Sequence, residues 1–315
     1  MILCCGEALI DMLPGKTEEG KRMFLPVPGG SPYNTAIAIA RLGVEVAFLG
    51  KISSDFFGDI LVNNLEANSV ETGFVKRVDR NTTLAFVDKG EDGSARYAFY
   101  SEASADRDLR MEDLPKEFSD NVRCLEFGSI SLLLEPGSST IRKLIFREYG
   151  KRVISFDPNI RPGLITNRES YLKMFESLVS HSHIVKASDE DIKWLYPAMQ
   201  LEEAADILIK KGASIVIVTM AAKGAFALCS DGLVRVDAID IPIADTVGAG
   251  DTFHAAFLSY LHEERILEIE SIEKLKGDSV KKALEYAIKA ASITCSRPGA
   301  NPPFKNEMEN WTAVL

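Results

Sequence analysis

The pattern of apolar runs predicts an α/β fold: a three-layer domain with a mostly parallel sheet between helices, carrying a small antiparallel β lid. Two observations carry this expectation. From residue 106 onward, strand-like runs at 123–127, 153–157, 183–186, 214–219, 225–229 and 233–236 are interleaved with helix-like segments at 136–149, 168–178, 189–196, 201–211, 249–261 and 277–295. Residues 23–28, 82–87 and 95–100 instead read as strands without intervening helices. The last two flank Lys89-Gly90-Glu91-Asp92-Gly93, a hairpin turn by composition.

Residues 2–12 read as an opening strand, interrupted only by Gly6-Glu7 and reaching Asp11. Cys4 and Cys5 are neighbours in it, so their side chains should point to opposite faces of the sheet. Residues 14–20 are polar and turn-rich. Residues 23–28 suit a short edge strand, because Pro26 and Pro28 limit pairing. Gly29-Gly30-Ser31-Pro32 opens an Ala/Ile-rich helix over 33–42, with Ser31 as N-cap, Pro32 in the first turn and Gly43 as terminator. A strand at 44–50 and a helix at 56–67 follow. The whole chain, 1–315, is expected to form one domain, with the lid built from about 13–28 and 79–105.

Composition narrows the function. The chain has 315 residues, 46% hydrophobic and 26% charged, long enough to bury a core without staples. A formal net charge of -10 and the lack of a Lys/Arg block argue against a nucleic-acid partner. The five cysteines are irregularly spaced with no Cys-x-x-Cys, so free thiols in a reducing cytoplasm are expected rather than a zinc site. The N-terminus has no basic region ahead of its apolar run and makes a poor signal peptide, and no stretch is apolar enough to span a membrane.

Two segments could carry chemistry. Asp245-Thr246-Val247-Gly248-Ala249-Gly250-Asp251-Thr252-Phe253 places small residues ahead of an apolar helix that starts near Asp251. Small residues let backbone approach an anion, and free N–H groups at a helix start favour negative charge. A carboxylate there can take the proton of an attacking hydroxyl in phosphoryl transfer. Taken alone, the motif is equally compatible with a tight turn in which Asp251 caps the helix. It is not a Walker A loop, and no dinucleotide fingerprint follows the first strand. The second segment is Gly29-Gly30-Ser31-Pro32-Tyr33-Asn34, where Asn34 offers a donor and an acceptor that suit a polyol. By itself it reads rather as a helix start with Asn34 on the solvent side. His254 reads as a helix residue facing a neighbour, and Lys281-Lys282 as a solvated face.

Together these segments resemble the two signature motifs of the ribokinase/PfkB family of sugar kinases. Gly6-Glu7-Ala8-Leu9-Ile10-Asp11 resembles its fructokinase branch. The likeness continues in order through Gly50-Lys51-Ile52-Ser53, Asp55-x-x-Gly58, Gly128-Ser129, Asp157-Pro158-Asn159-x-Arg161, the turn at 219–224 and Arg297-Pro298-Gly299-Ala300. It implies a ribokinase-like fold and ATP-dependent phosphorylation of a sugar, fructose giving fructose 6-phosphate. The same motifs would serve a 2-keto-3-deoxygluconate kinase, a ribokinase or a catalytically silent sugar-binding relative.

The resemblance also implies roles for particular residues. Asp11, Gly29, Gly30 and Asn34 match positions that hold sugar hydroxyls, and Arg161 one near sugar and phosphate. Asp251 matches the catalytic base, and Gly248, Ala249 and Gly250 the anion hole. Lys186, Ser188, Thr219 and Gly224 match the ATP side, together with Gly248 and Gly250. Mg²⁺ is implied with ATP. Asp191 can supply a carboxylate to it through water, although Ser188 stands where many relatives have Asn. Ala221, Ile288 and Pro303 also depart from the family pattern, and Pro303 argues against strong activation by a monovalent cation. Sugar choice falls to lid residues such as Arg96, Tyr97, Phe99 and Arg107. The family lid implies a homodimer.

Overall fold

The computed structural model describes residues 1–89 and 95–311. In chain order the elements are β1 (Ile2–Cys5), β2 (Leu9–Lys16), β3 (Arg22–Gly29), α1 (Ser31–Arg41), β4 (Val46–Ser53), α2 (Phe56–Ala67), β5 (Val75–Val78), β6 (Leu84–Lys89), β7 (Ala95–Tyr100) and β8 (Cys124–Gly128). Then follow α3 (Gly137–Glu148), β9 (Val153–Asp157), α4 (Arg168–Val179), β10 (Ile184–Ser188), α5 (Asp189–Leu195), α6 (Leu201–Lys210), β11 (Ile215–Thr219), β12 (Ala225–Cys229) and β13 (Gly232–Val236). The chain closes with α7 (Ala249–Glu263), α8 (Ile269–Glu273), α9 (Gly277–Cys295) and α10 (Lys305–Asn310).

The large sheet has nine strands in the order β13-β12-β11-β10-β9-β8-β1-β4-β5. Its pairs are parallel except β11 with β12 and β12 with β13. Helices cover both faces, which makes three layers. One face packs α1, α2, α7 and α9 into a core that includes Cys4, Phe48 and Phe257. The other packs α3 to α6 into a core that includes Cys5, Phe156 and Phe175. Adjacent Cys4 and Cys5 thus serve opposite cores, as strand alternation requires. The α1, α7 and α9 layer matters most for function, because α1 and α7 start at the same end of the sheet and pack side by side.

The second sheet has four strands, β3-β2-β6-β7. Its hairpins β2–β3 and β6–β7 are antiparallel, but the central pair β2–β6 is parallel. The lid is therefore mixed rather than wholly antiparallel. The cause is connectivity: β4, α2 and β5 lie between the two hairpins, and the second returns in the same direction as the first. β3 is an edge strand, as its prolines require. The expected turn at 89–93 falls largely on residues 90–94, outside the described residues.

Residues 2–12 do not form one strand. β1 ends at Cys5 and β2 begins at Leu9 in the other sheet, so the first lid strand starts earlier than residue 13 and contains Asp11. Gly6 marks the departure, where a Cβ would stand 2.6 Å from Cγ of Pro32. Alternating apolar residues cannot reveal this break, because both halves alternate. β2 also runs on to Lys16, and the turn closes instead where the Thr17 N–H donates to Lys21 O. The short elements β5, α8 and α10 are too brief to leave a periodic signal. Among the described residues no helix is long and apolar enough to cross a membrane.

Candidate active site

Ligand sites in open parallel sheets lie beyond the carboxyl ends of the strands, and a cleft of about 780 Å³ opens there. Arg161, Lys186, Ser188 and Asp191 line one part of it. Thr219 and Gly224 line another, and Ala249 and Gly250 form its floor.

The start of α7 supplies the floor. Its N-cap is Gly248 at φ 74, a left-handed conformation that favours glycine. A Cβ at Gly248 would also lie 2.7 Å from the Cβ of Ala300. The turn is pinned by Asp245, whose Oδ1 accepts the N–H of Thr246 (2.8 Å) and of Val247 (3.1 Å) and whose Oδ2 accepts that of Gly299 (2.9 Å). The early N–H groups of α7 have no carbonyl four residues back within the helix; that of Ala249 donates to Thr246 O at 3.3 Å, so an anion here draws first on the N–H groups after it. α7 begins at Ala249, where the helix-like segment 249–261 places its start.

Asp251 is not a cap. Its Oδ1 accepts the hydroxyl of Ser31 at 2.7 Å, and its Oδ2 accepts the side-chain amide of Asn34 at 2.9 Å. Ser31 is therefore not the N-cap of α1; Gly30 takes that place with no side-chain bond, and Ser31 turns inward. Asn34 faces this carboxylate rather than solvent. Burial raises the Asp251 carboxyl above its usual range, the bonds from Ser31 and Asn34 lower it, Asp157 raises it and Lys186 lowers it. A carboxylate made more basic by burial, with one edge held, suits proton acceptance from an alcohol.

Beneath the floor, Lys186 Nζ donates to Asp157 Oδ2 at 2.7 Å, with both side chains almost fully buried. Burial works against this ammonium, but Asp157, with Asp191 and Asp251, offsets it and leaves the lysine more basic than usual. A Cβ at Gly250 would come within 3.2 Å of Nζ, so the bare glycine leaves the cation close to the turn. Gly128 serves the same pair from behind: a Cβ there would meet Asp157 O at 1.7 Å.

Asp11 enters from the lid strand β2. It faces Gly29 on β3, where a Cβ would come within 2.1 Å of Oδ2. Burial pushes the Asp11 carboxyl up to about 6, with Arg161 opposing the shift and Asp251 adding to it. These three groups therefore share one electrostatic neighbourhood. The Arg161 guanidinium also donates to Asn159 Oδ1 at 2.6 Å, which fixes its direction.

Two roles escaped sequence reasoning. Glu7, 1% exposed, accepts the backbone N–H of Ser31 and of Ser131, each at 3.2 Å, and so braces the first turn of α1. Burial pushes its carboxyl up to about 7, against the lowering effect of its hydrogen bonds. A single acid inside an apolar run was the available signal. The second is the apolar part of the cleft lined by Ile239, Ile241, Ile243 and Ile288.

Asp191 and Ser188 form a capping box at the start of α5. Asp191 Oδ2 accepts the N–H and hydroxyl of Ser188 at 2.9 and 2.7 Å, and its Oδ1 accepts Ile160 N at 2.8 Å. Among the described residues no cluster of three or more metal-ligating side chains occurs. A metal here fits only as a hydrated ion carried mainly by phosphates, the usual habit of Mg²⁺. Of the residues expected to choose the sugar, Arg107 is tied to Glu135 O and Ser101 O, and Phe99 packs with Leu9, Ala85 and Ile130. The side chains of Arg96 and Tyr97 lie outside the described residues.

A buried carboxylate over an anion-accepting helix start, beside the polar groups of Asp11, Asn34 and Arg161 and an apolar part of the cleft, fits a phosphotransferase site of the carbohydrate kinase class. The sequence profile of the pfkB family carbohydrate kinases matches residues 1–307, and the chain belongs to that family. It is 41% identical over 281 residues to a fructokinase of Rhizobium leguminosarum bv. trifolii, covering 89% of this chain and 86% of the relative. The crystal structure of a fructokinase with bound ATP from Xylella fastidiosa superposes with a TM-score of 0.88 at 28% identity, covering 98% of this chain and 96% of that one. A fructokinase double mutant from Vibrio cholerae O395, in a fructose-, ADP- and potassium-bound form, gives 0.82 at 26% identity, covering 95% and 93%.

Proposed function

We propose that the protein transfers the γ-phosphoryl group of ATP to a hydroxyl of fructose, giving fructose 6-phosphate. The observation that carries this reading is the Asp251 carboxylate, held by Ser31 and Asn34 at the mouth of the Gly248–Gly250 turn. In this reading Asp11, Gly29, Gly30, Asn34 and Arg161 hold the sugar. Asp251 accepts the proton of the attacking hydroxyl, a contribution of roughly 10²–10⁴-fold for a positioned base. The N–H groups at Gly248, Ala249 and Gly250, with Lys186 beneath them, neutralise charge on the phosphoryl group in flight. Thr219 and Gly224 border the nucleotide, whose base enters the isoleucine-lined part of the cleft, and Ser188 holds the strand end beside its phosphates.

Mg²⁺ bound to the phosphates would add charge neutralisation, and Asp191 and its neighbours would reach its waters. Pro303 offers no hydroxyl to a monovalent cation, so turnover does not lean strongly on potassium. The lid closes over the sugar and excludes water, which otherwise competes as acceptor. The chain works as one domain over 1–315, in the cytoplasm, as a homodimer joined through lids.

The test is ADP release from Mg-ATP against fructose, ribose, 2-keto-3-deoxygluconate, glucose and a nucleoside. Strong turnover with fructose alone is expected. Turnover with another sugar overturns the substrate and keeps the site. No turnover with any of them overturns the reading in favour of a silent binding protein.

The ionisation of Asp11 gives a pH prediction. As a carboxylate it accepts hydroxyl hydrogen bonds; protonated, it loses an acceptor and gains a competing donor. The sugar kcat/KM should therefore fall as pH drops through about 6, since that ratio reports groups of the free enzyme. A profile flat through that pH would count against Asp11 as the sugar's acceptor.

A further inference from the structure

Behind the phosphate turn lies a group of buried polar side chains that the reaction above does not use. Glu126 stands in β8 and Ser155 in the neighbouring β9, paired across the strands. His254 reaches down from α7. Glu126 is 1% exposed, and His254 and Ser155 are 0% exposed. His254 Nε2 lies 2.7 Å from Ser155 Oγ. Its Nδ1 lies 3.7 Å from Glu126 Oε1 and 3.9 Å from Asp157 Oδ2. No hydrogen bond of ordinary geometry reaches either Glu126 oxygen or His254 Nδ1 among the described residues; the Cys4 thiol, a weak donor, bears on the Glu126 carboxyl. Buried polar atoms are rarely left so, and these are neighbours.

We propose that the Glu126 carboxyl and the His254 imidazole form an uncharged hydrogen-bonded pair that positions the Asp157–Lys186 ion pair and Asp251 beneath the phosphoryl group. Both are positioning residues, acting through Asp157 and Asp251. The inference rests on the kinase reading for its functional consequence, but not for the existence of the pair.

The proton count decides the form. The carboxyl keeps its proton on one oxygen and donates it to Nδ1. The imidazole carries its single proton on Nε2 and donates it to Ser155 Oγ. No proton is transferred and the pair is neutral. The gap of 3.7 Å exceeds a direct hydrogen bond, so the proposed pair requires the two side chains to approach by somewhat under about 1 Å.

The charged alternative, carboxylate with imidazolium, fits the surroundings badly. Glu126 is faced by Cys4 from β1, Glu7 from the link after it, Cys124 on its own strand, Asp157 from β9 and Asp251 and His254 from α7. Burial, then the Asp157 and Asp251 carboxylates, hold its carboxyl well above the usual range. Burial and the Lys186 ammonium push the His254 imidazole down to about 3. A further carboxylate here would stand against the Asp157 and Asp251 carboxylates. The neutral pair adds no such charge, and it ties α7 to β9 through Ser155. His254 follows Asp251 by one helical turn, and Ser155 precedes Asp157 on the same face of its strand, so one clamp registers both charged groups.

The experiment compares wild type with Glu126→Gln, Glu126→Leu and His254→Leu, reading kcat and KM for sugar and ATP, thermal unfolding, and the infrared carbonyl band of a protonated carboxylic acid. The Glu7 carboxyl adds to this band at neutral pH in both proteins, so the wild-type minus Glu126→Gln difference spectrum should carry the Glu126 band. Glu126→Gln, which keeps a donor toward Nδ1, should retain kcat within about twofold. Glu126→Leu and His254→Leu should lose about 10²-fold in kcat, the scale of a small misplacement of reacting groups, with KM nearly unchanged. Should the leucine variants fail to fold, the glutamine variant and the infrared band still decide. Three results would each overturn the proposal: no band in the wild-type minus Glu126→Gln difference spectrum, wild-type kcat in the leucine variants, or a glutamine variant as impaired as the leucine one. A wild-type protein with the band but no turnover on any sugar would instead sink the kinase reading and leave the pair standing.

Discussion

Asp251→Asn should lower kcat by at least the roughly 10²–10⁴-fold expected of a positioned general base, while the protein stays folded. The structural argument has two parts. The carboxylate sits at the mouth of the anion turn with one edge bonded to Ser31 and Asn34, so the amide keeps an acceptor for one of them but cannot take a proton. Burial already disfavours the charge, so neutralising it carries no penalty of an abandoned ion pair. The measurements are ADP release under saturating substrates and a thermal unfolding curve. Intact folding with turnover near that of wild type would remove Asp251 from the base role.

Lys186→Met is the second large effect, and it acts on both stability and rate. Lys186 and Asp157 form an ion pair with side-chain exposures of 5% and 2%. Removing one partner leaves the other charge buried and unpaired, a loss of about 3–5 kcal/mol. Turnover should collapse too, since the cation lies against the Gly250 turn. The double variant Asp157→Asn with Lys186→Met separates the two effects. It removes both charges, so most of the stability should return, while the phosphoryl group still lacks its cation and turnover stays low. Urea unfolding and ADP release on wild type, Lys186→Met, Asp157→Asn and the double variant decide the matter. A single variant as stable as wild type would contradict the buried pair. A double variant with restored turnover would contradict a role for Lys186 in phosphoryl transfer.

Much of the site was legible because its parts are contiguous. Gly248-Ala249-Gly250-Asp251 is a local object: small residues, a helix start and an acid in one turn. Gly30 and Asn34 likewise belong to one helix start. What escaped was the pairing between them. Nothing in either segment says that Ser31 spends its hydroxyl on Asp251 instead of capping α1, or that Asn34 turns to the same carboxylate. Glu7 and Glu126 were overlooked for a related reason. Each is one acid in an apolar run, and only the neighbours brought up by the fold tell whether it is solvated, paired or held neutral.

The sequence by itself determined the alternation of strands and helices, the presence of a separate small sheet and the chemistry available at the start of α7. These follow from periodicity and from residues that act within one turn of each other. The tertiary structure alone decided that residues 2–12 divide between two sheets, that β2 pairs in parallel with β6, and that Asp11, Asp157, Lys186 and Asp251 come within electrostatic reach of one another. Those residues come from a lid strand, two strands of the main sheet and a helix. What brings them together is the packing of α1 and α7 on one face of that sheet, a long-range arrangement that the burial of two apolar cores sets and no local pattern encodes.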